Sequence, residues 1–130
     1  MGKHIYLIDD DYDDAEIFSY ALRDIYPSAT LTHYDNGLTA VEMLKNEELV
    51  LPDVIFLDIN MPFINGWECL RQIKGFAENK KIPIVMYSTS DIEKEGLVAQ
   101  DLGARAFLIK PSTLGELKNK LSRLFNEFWQ

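Results

Sequence analysis

Four apolar segments of this 130-residue chain each run into a side chain able to do ionic chemistry. Asp9 and Asp10 follow HIYLI (4–8), Asp58 follows VIFL (54–57), Ser88 follows IPIVMY (82–87) and Lys110 closes ARAFLI (104–109). The first site is the most crowded, because LIDDDYDD (7–14) carries five acids in six positions. Two carboxylates about 4 Å apart repel by roughly 4 kcal/mol at an effective dielectric near 20. A hard divalent cation offsets that repulsion. Magnesium takes oxygen ligands in octahedral geometry, keeps several waters, and is held by one or two carboxylates plus a phosphoryl group. Not all five acids need serve an ion. Asp13 and Asp14 read as capping the first helix and complementing its dipole, and Asp11 as solvated.

The chemistry requires these residues to meet, and the apolar pattern says how. Segments 4–8, 54–57, 82–87 and 104–109 are near-continuous apolar runs, as in strands buried on both faces. ATLTHY (29–34) alternates more and reads as nearer an edge. Between them lie helical spacings: Phe18, Ala21, Leu22 and Ile25, closed by Pro27; Leu38, Val41 and Leu44 after Asn36-Gly37; and Cys69, Leu70 and Ile73. A fourth, over 91–102, starts at the N-cap Asp91 and ends at Gly103. The last carries the stripe Leu114, Leu117, Leu121, Leu124 and Phe128, begun by Ser112 or Thr113. Five strand–helix alternations predict one α/β domain over 1–130: a doubly wound, five-stranded parallel sheet of order 2-1-3-4-5, a flavodoxin-like three-layer sandwich. Ligands of such sheets sit beyond the carboxyl ends of the strands. One rim therefore gathers three carboxylates, a hydroxyl and an ammonium from positions a hundred residues apart.

Composition sets the bounds. The net charge is -8, with 21 acids against 13 bases, and no basic run appears, which argues against nucleic acid as a partner. No apolar run reaches the eighteen or so residues of a membrane helix, and the amino terminus lacks a signal pattern. A single cysteine, Cys69, at helical spacing beside Leu70, reads as a buried small hydrophobe and fits a reducing cytoplasm. His4 and His33 have no metal-ligand spacing and read as structural or surface residues, not phosphodonors, and Phe128 and Trp129 as packing residues.

With DD at 9–10, DINMP at 58–62, Gly66 after it, S at 88 and KP at 110–111, the chain resembles the receiver domain of two-component response regulators, closest in layout to the stand-alone chemotaxis type. The resemblance covers nearly the whole chain. It implies that Asp58 accepts a phosphoryl group from a histidine kinase or phosphotransfer protein. It implies Mg2+ ligated by Asp10, Asp58 and the main-chain carbonyl of Asn60, with Asp9 acting through a water. Lys110 pairs with Asp58 and then with phosphoryl oxygens, while Ser88 hydrogen-bonds the attached group. A cis Lys110–Pro111 peptide is a candidate for turning the lysine inward. Ser88 and Phe107 are the implied switch, acting on the face built by the fourth helix, fifth strand and fifth helix, where a downstream protein binds. A homodimer is a further assembly that this reading allows.

Some residues depart from the family's usual pattern. Ser88 stands where threonine is common, Thr89 where the residue is small, and Phe107 lacks a hydroxyl. Together with Asn60 and Ser90, Thr89 is expected to tune the phosphoryl lifetime. The domain is read as a phosphoacceptor that catalyses its own phosphorylation and dephosphorylation, not as an enzyme on other substrates. The alternative is an unphosphorylated pseudo-receiver acting as an interaction module, although such domains typically lose an acid or the lysine. A phosphatase of the haloacid-dehalogenase type requires an acid two residues after its nucleophile, where this chain has Asn60.

Overall fold

The computed structural model of the protein describes residues 2–46, 50–61, 64–89 and 102–129. Five strands, β1 (His4–Ile8), β2 (Thr30–Tyr34), β3 (Val54–Asp58), β4 (Ile84–Ser88) and β5 (Ala106–Ile109), form one sheet of order β2-β1-β3-β4-β5. Every pairing is parallel. The helices among the described residues are α1 (Tyr12–Ile25), α2 (Gly37–Leu44), α3 (Gly66–Lys80) and α4 (Leu114–Trp129), the last of these being the fifth helix read from the sequence. The helix expected over 91–102, its cap Asp91 and also Ser90 lie outside the described residues, apart from Leu102. Gly103, expected to close that helix, has φ 100°, a backbone region that favours glycine.

Strand residues alternate between two cores. Ile5, Leu7, Val54, Phe56, Val85 and Tyr87 face α1 and α4, packing on Phe18, Leu22, Leu117, Leu121 and Phe125. Tyr6, Ile8, Ile55, Leu57, Ile84 and Met86 face α2 and α3, packing on Val41, Leu44, Cys69, Leu70 and Ile73. Because β3 and β4 are buried at every residue, their sequences are apolar on both faces. β2, at the edge, is at most half-buried, which explains its more polar alternation.

Local chemistry sets the helix ends. Asp11, not the acids after it, is the N-cap of α1: its side chain accepts a hydrogen bond from Asp14 N at 3.0 Å. The reading of Asp11 as merely solvated is therefore corrected, while Asp13 and Asp14 do lie in the first turn. Asn36 caps α2 and Thr113 caps α4 through Thr39 N and Glu116 N. Leu38 and Leu114 are exposed although they belong to the expected stripes, and Phe125 is buried although it does not. The burial of Phe125 follows from helix geometry. The sheet touches a wide arc of α4, so Phe125, four residues past Leu121, shares its face.

α3 is followed by Lys81, which has φ 58°. Ile82 N donates to Ala77 O at 2.8 Å, closing the helix in the Schellman pattern that glycine usually serves.

Candidate functional site

β1 and β3 are neighbours at the centre of the sheet, so the acids that follow them come together by register alone. Carboxylate oxygens of Asp9, Asp10 and Asp58 all lie within 4.8 Å of one another. Asp9 and Asp58 are buried, whereas Asp10 is exposed. Ser88 ends β4 and is fully buried.

Asp9 is held by backbone and side chain alike. Its N–H donates to Tyr34 O at 3.0 Å, continuing the β1–β2 ladder one residue past the end of β1. Its Oδ1 accepts from Asp11 N at 2.9 Å. His33 Nε2 lies 2.7 Å from the Asp9 carbonyl oxygen and therefore donates to it. The second strand's histidine is thus structural, as read from the sequence, but what it supports is the acidic turn. His4 instead bonds Thr32 Oγ1 at 2.7 Å and stacks edge-on with Tyr6.

Lys110 leaves β5 with its own N–H donating to Ser88 O at 2.7 Å. Its ammonium reaches inward, with side-chain exposure of 8%. Nζ lies 2.8 Å from Asp9 Oδ2, 2.8 Å from Asp14 Oδ2 and 3.6 Å from Asp58 Oδ2, and 5.2 Å from the centre of the Tyr87 ring. The expected pairing with Asp58 is therefore present but longer than two others. The Lys110–Pro111 peptide is trans, which corrects the cis candidate. Trans is the lower-energy isomer by about 0.5–1 kcal/mol, and the lysine reaches the acids without the alternative turn.

Asp14 is the site residue that sequence reasoning misplaced. Its sequence reading is helix capping and dipole complementation, yet it binds the buried ammonium. A signal was available: Asp14 is four residues before Phe18 and seven before Ala21, so it extends the buried stripe of α1 onto the sheet's rim.

The electrostatics follow from crowding in a dry place. Burial pushes the Asp58 carboxyl up to about 7; the Lys110 ammonium opposes this, but Asp9 and Asp10 push it further up. A backbone N–H of Asn60 works in the other direction. Asp9 is also raised, by burial, with Lys110 pulling it down. Burial works against the Lys110 ammonium, but Asp14, Asp9 and Asp58 outweigh it and the ammonium is held more firmly than usual.

Lys110 thus pairs with three carboxylates, Asp9, Asp14 and Asp58, and Asp10 adds a fourth negative charge beside them, an excess that a divalent cation would neutralise. The donor set fits one: all oxygen, three carboxylates, and ligand atoms within 4.8 Å of one another, close enough to converge on an ion bound at about 2.0–2.1 Å after small side-chain adjustments. Asp9 Oδ2 is buried and faces Nζ without hydrogen-bond alignment, so it retains acceptor capacity.

Other expected residues are placed less centrally. Asn60 and Thr89 are exposed beside the rim. Phe107 is half-buried and packs on the core beneath α2 and α3. Gly66 was read only as a motif member, but its close approach to the Asp58 backbone is required by the loop leading into α3, where Gly66 N donates to Ile59 O at 2.7 Å. Cys69 is buried, which pushes its thiol up to about 12, as expected of a core residue. No helix among the described residues is long and apolar enough to cross a membrane.

Comparison with known proteins gives the chain's family and fold relatives. The family model described as the response regulator receiver domain matches residues 5–122. Chemotaxis protein CheY-3 of Vibrio cholerae is 31% identical over 121 residues, covering 93% of this chain and 90% of that protein. Among solved structures, the phosphorylated cyanobacterial phytochrome response regulator RcpA superposes with TM-score 0.83 at 28% identity, covering 99% of this chain and 94% of that one. The Mn(2+)-bound form of response regulator Rcp1 gives TM-score 0.80 at 29% identity, covering 98% and 94% respectively.

Proposed function

This chain belongs to the response regulator receiver domain family of two-component systems, and from that premise we propose that it is a phosphoacceptor whose acceptor is Asp58. The observation that carries the proposal is the position of Asp58: at the carboxyl end of the central strand, buried, 3.6 Å from the Lys110 ammonium and clustered with Asp9 and Asp10.

A carboxylate is a modest nucleophile, so the surroundings must orient it and balance the charge on the transferring group. β3 fixes the Asp58 backbone, and the Asn60 N–H holds its side chain. One Asp58 oxygen attacks phosphorus, the bond to the donor's leaving group breaks, and that group departs with the electron pair. The result is an acyl phosphate on Asp58. Lys110 follows the charge onto the phosphoryl oxygens, and the Ser88 hydroxyl, one strand away, donates to another. Asp9, Asp10 and Asp58, with the carbonyl of Asn60, would hold Mg2+, Asp9 doing so through a water. When bound, Mg2+ supplies charge neutralisation of the transferring group. Water later attacks the phosphorus and restores the carboxylate, and exposed Thr89 and Asn60, with Ser90, influence how readily it does so.

The donor is a histidine kinase or phosphotransfer protein in the cytoplasm. Output arises because phosphorylation adds charge and acceptor oxygens beneath Ser88, biasing the packing of Phe107 and the face that includes β5 and α4, where a downstream protein binds. The pseudo-receiver alternative is the weaker reading, because Asp9, Asp10, Asp58 and Lys110 are all retained and all meet.

Incubation with acetyl phosphate, with and without Mg2+, followed by intact mass measurement, tests the proposal. A metal-dependent gain of one phosphoryl group, absent in Asp58→Asn, is expected. No gain in the parent protein, or equal gain in Asp58→Asn, would overturn it.

A further inference from the structure

Asp14 belongs neither to the acidic cluster that fits a metal ion nor to the residues expected to touch a phosphoryl group, yet it takes the same lysine. We propose that Asp14 is a positioning residue that holds Lys110 away from Asp58 until a phosphoryl group arrives. The inference rests on Asp58 being the phosphoryl acceptor.

The geometry is a competition. Lys110 Nζ is 2.8 Å from Asp14 Oδ2, with a hydrogen bond, and 3.6 Å from Asp58 Oδ2. The ammonium is nearly closed off from water, with 8% side-chain exposure, while Asp14 is one-third exposed. The lysine is therefore shared among a wetter acid on α1, Asp9 just after β1 at 2.8 Å and the drier Asp58 on β3, and of these it hydrogen-bonds Asp14. It also cannot drift freely, because its backbone N–H is fixed on Ser88 O and its ammonium sits over the Tyr87 ring.

Asp14 is itself well anchored. Its N–H donates to the cap Asp11, and the next residue, Ala15, is buried against the core. Its carboxylate is therefore presented by a helix turn that stays in place when the side chain changes.

In the resting protein the Asp14 pair draws the ammonium toward α1. In the phosphorylated protein the phosphoryl oxygens draw it toward β3. Asp14 therefore sets how much of the incoming interaction is spent on detaching the lysine, and in that way sets the phosphorylated fraction at a given donor supply.

The test compares the full chain with Asp14→Asn, Asp14→Glu and Lys110→Met, using beryllium trifluoride with Mg2+ as the phosphoryl-like probe. Asp14→Asn is expected to bind the probe roughly five-fold more tightly or better, the low end of coupling between sites that compete for one group. Asp14→Glu is expected to restore the parent affinity. In the Lys110→Met background, removing Asp14 should change affinity by less than two-fold on the same scale. Unchanged or weaker binding in Asp14→Asn overturns the proposal, as does a full gain that persists without the lysine, because Asp14 would then act by charge alone.

A separate readout distinguishes failure of this inference from failure of the acceptor reading. The Nζ resonance of Lys110 in the probe-free protein should shift in Asp14→Asn and return in Asp14→Glu. If the parent binds no probe, the acceptor reading fails, and an unshifted resonance overturns the positioning role independently.

Discussion

Gly66 has its Cα packed against the backbone of Asp58: a methyl group there would overlap the Asp58 carbonyl oxygen and lie 2.6 Å from Ile59 Cα. Both obstacles are backbone, so neither can swing aside as a side chain would. The loop after β3 must therefore return tightly enough for Gly66 N to reach Ile59 O, and only a residue without a Cβ permits it. Gly66→Ala is expected to destabilise the fold by about 1–3 kcal/mol, the usual range for forced overpacking. It should also weaken Mg2+ binding, because the clash displaces the segment that carries Asp58. Urea unfolding and calorimetric titration measure the two effects. Parent-like values in both would mean that the loop relaxes without moving Asp58.

Asp58 makes stability depend on pH in a definite direction. In the folded protein its carboxyl lies at about 7, against an unfolded value near 3.9. Below about pH 4 both states hold the proton and the group contributes nothing. Between about 4 and 7 the unfolded chain releases the proton while the folded protein keeps it, so stability falls as pH rises. Above about 7 the full penalty of a buried, crowded carboxylate remains. Asp58→Asn removes this slope. In chelator, without Mg2+, the variant is expected to gain on the parent from pH 4 to 7 and to stay ahead by at least ~1 kcal/mol above that. Urea midpoints across pH 4–8.5 provide the check, and a constant margin would refute the assigned direction.

On the proposed function, the same carboxylates take protons and metal in competition. Mg2+ affinity is therefore expected to rise between pH 6 and 8 as the Asp58 proton is released, and added Mg2+ should raise the melting temperature. At a concentration a hundred times the dissociation constant the gain is about 2.7 kcal/mol. Asp10→Asn removes a proposed ligand that is exposed, so the core stays closed, and should lower affinity at least about tenfold, as loss of even an outer partner does. Removal of Mg2+ by chelator should then shift the melting temperature of the parent but scarcely that of Asp10→Asn. Equal shifts would place the ion elsewhere.

Why some of this was legible in the sequence, and some not, has a physical basis. Asp9, Asp58, Ser88 and Lys110 could be placed together because a parallel sheet sends every strand's carboxyl end to one rim, and their strands are apolar enough to recognise. That argument reaches strand ends but not helices. Asp14 approaches the rim from α1, and its acid type suits a first turn equally well, so the dipole reading hid the contact with Lys110. Cap identity was obscured in the same way: any of Asp11, Asp13 and Asp14 could cap, and only backbone geometry selects Asp11. Leu114 and Phe125 show the remaining difficulty, since a leucine stripe gives the direction of an apolar face but not its width.

Lys81 carries strain that the rest of the fold tolerates. It follows α3 with φ 58°, and the bond from Ile82 N to Ala77 O holds it there. A side chain in this left-handed region crowds the following carbonyl, an unfavourable contribution of roughly 1–2 kcal/mol for an L-residue other than glycine, asparagine or aspartate. Replacement by glycine relieves the crowding but frees the unfolded chain, which returns part of the gain. Lys81→Gly is therefore expected to stabilise by up to ~1 kcal/mol. Lys81 lies at the end of α3 beyond Ala77, far in sequence from Asp58 and Lys110, so Mg2+ affinity should remain at the parent value. Chemical unfolding and metal titration of the same variant decide the matter. A loss of stability would show that the lysine side chain contributes contacts at that corner worth more than the strain it bears.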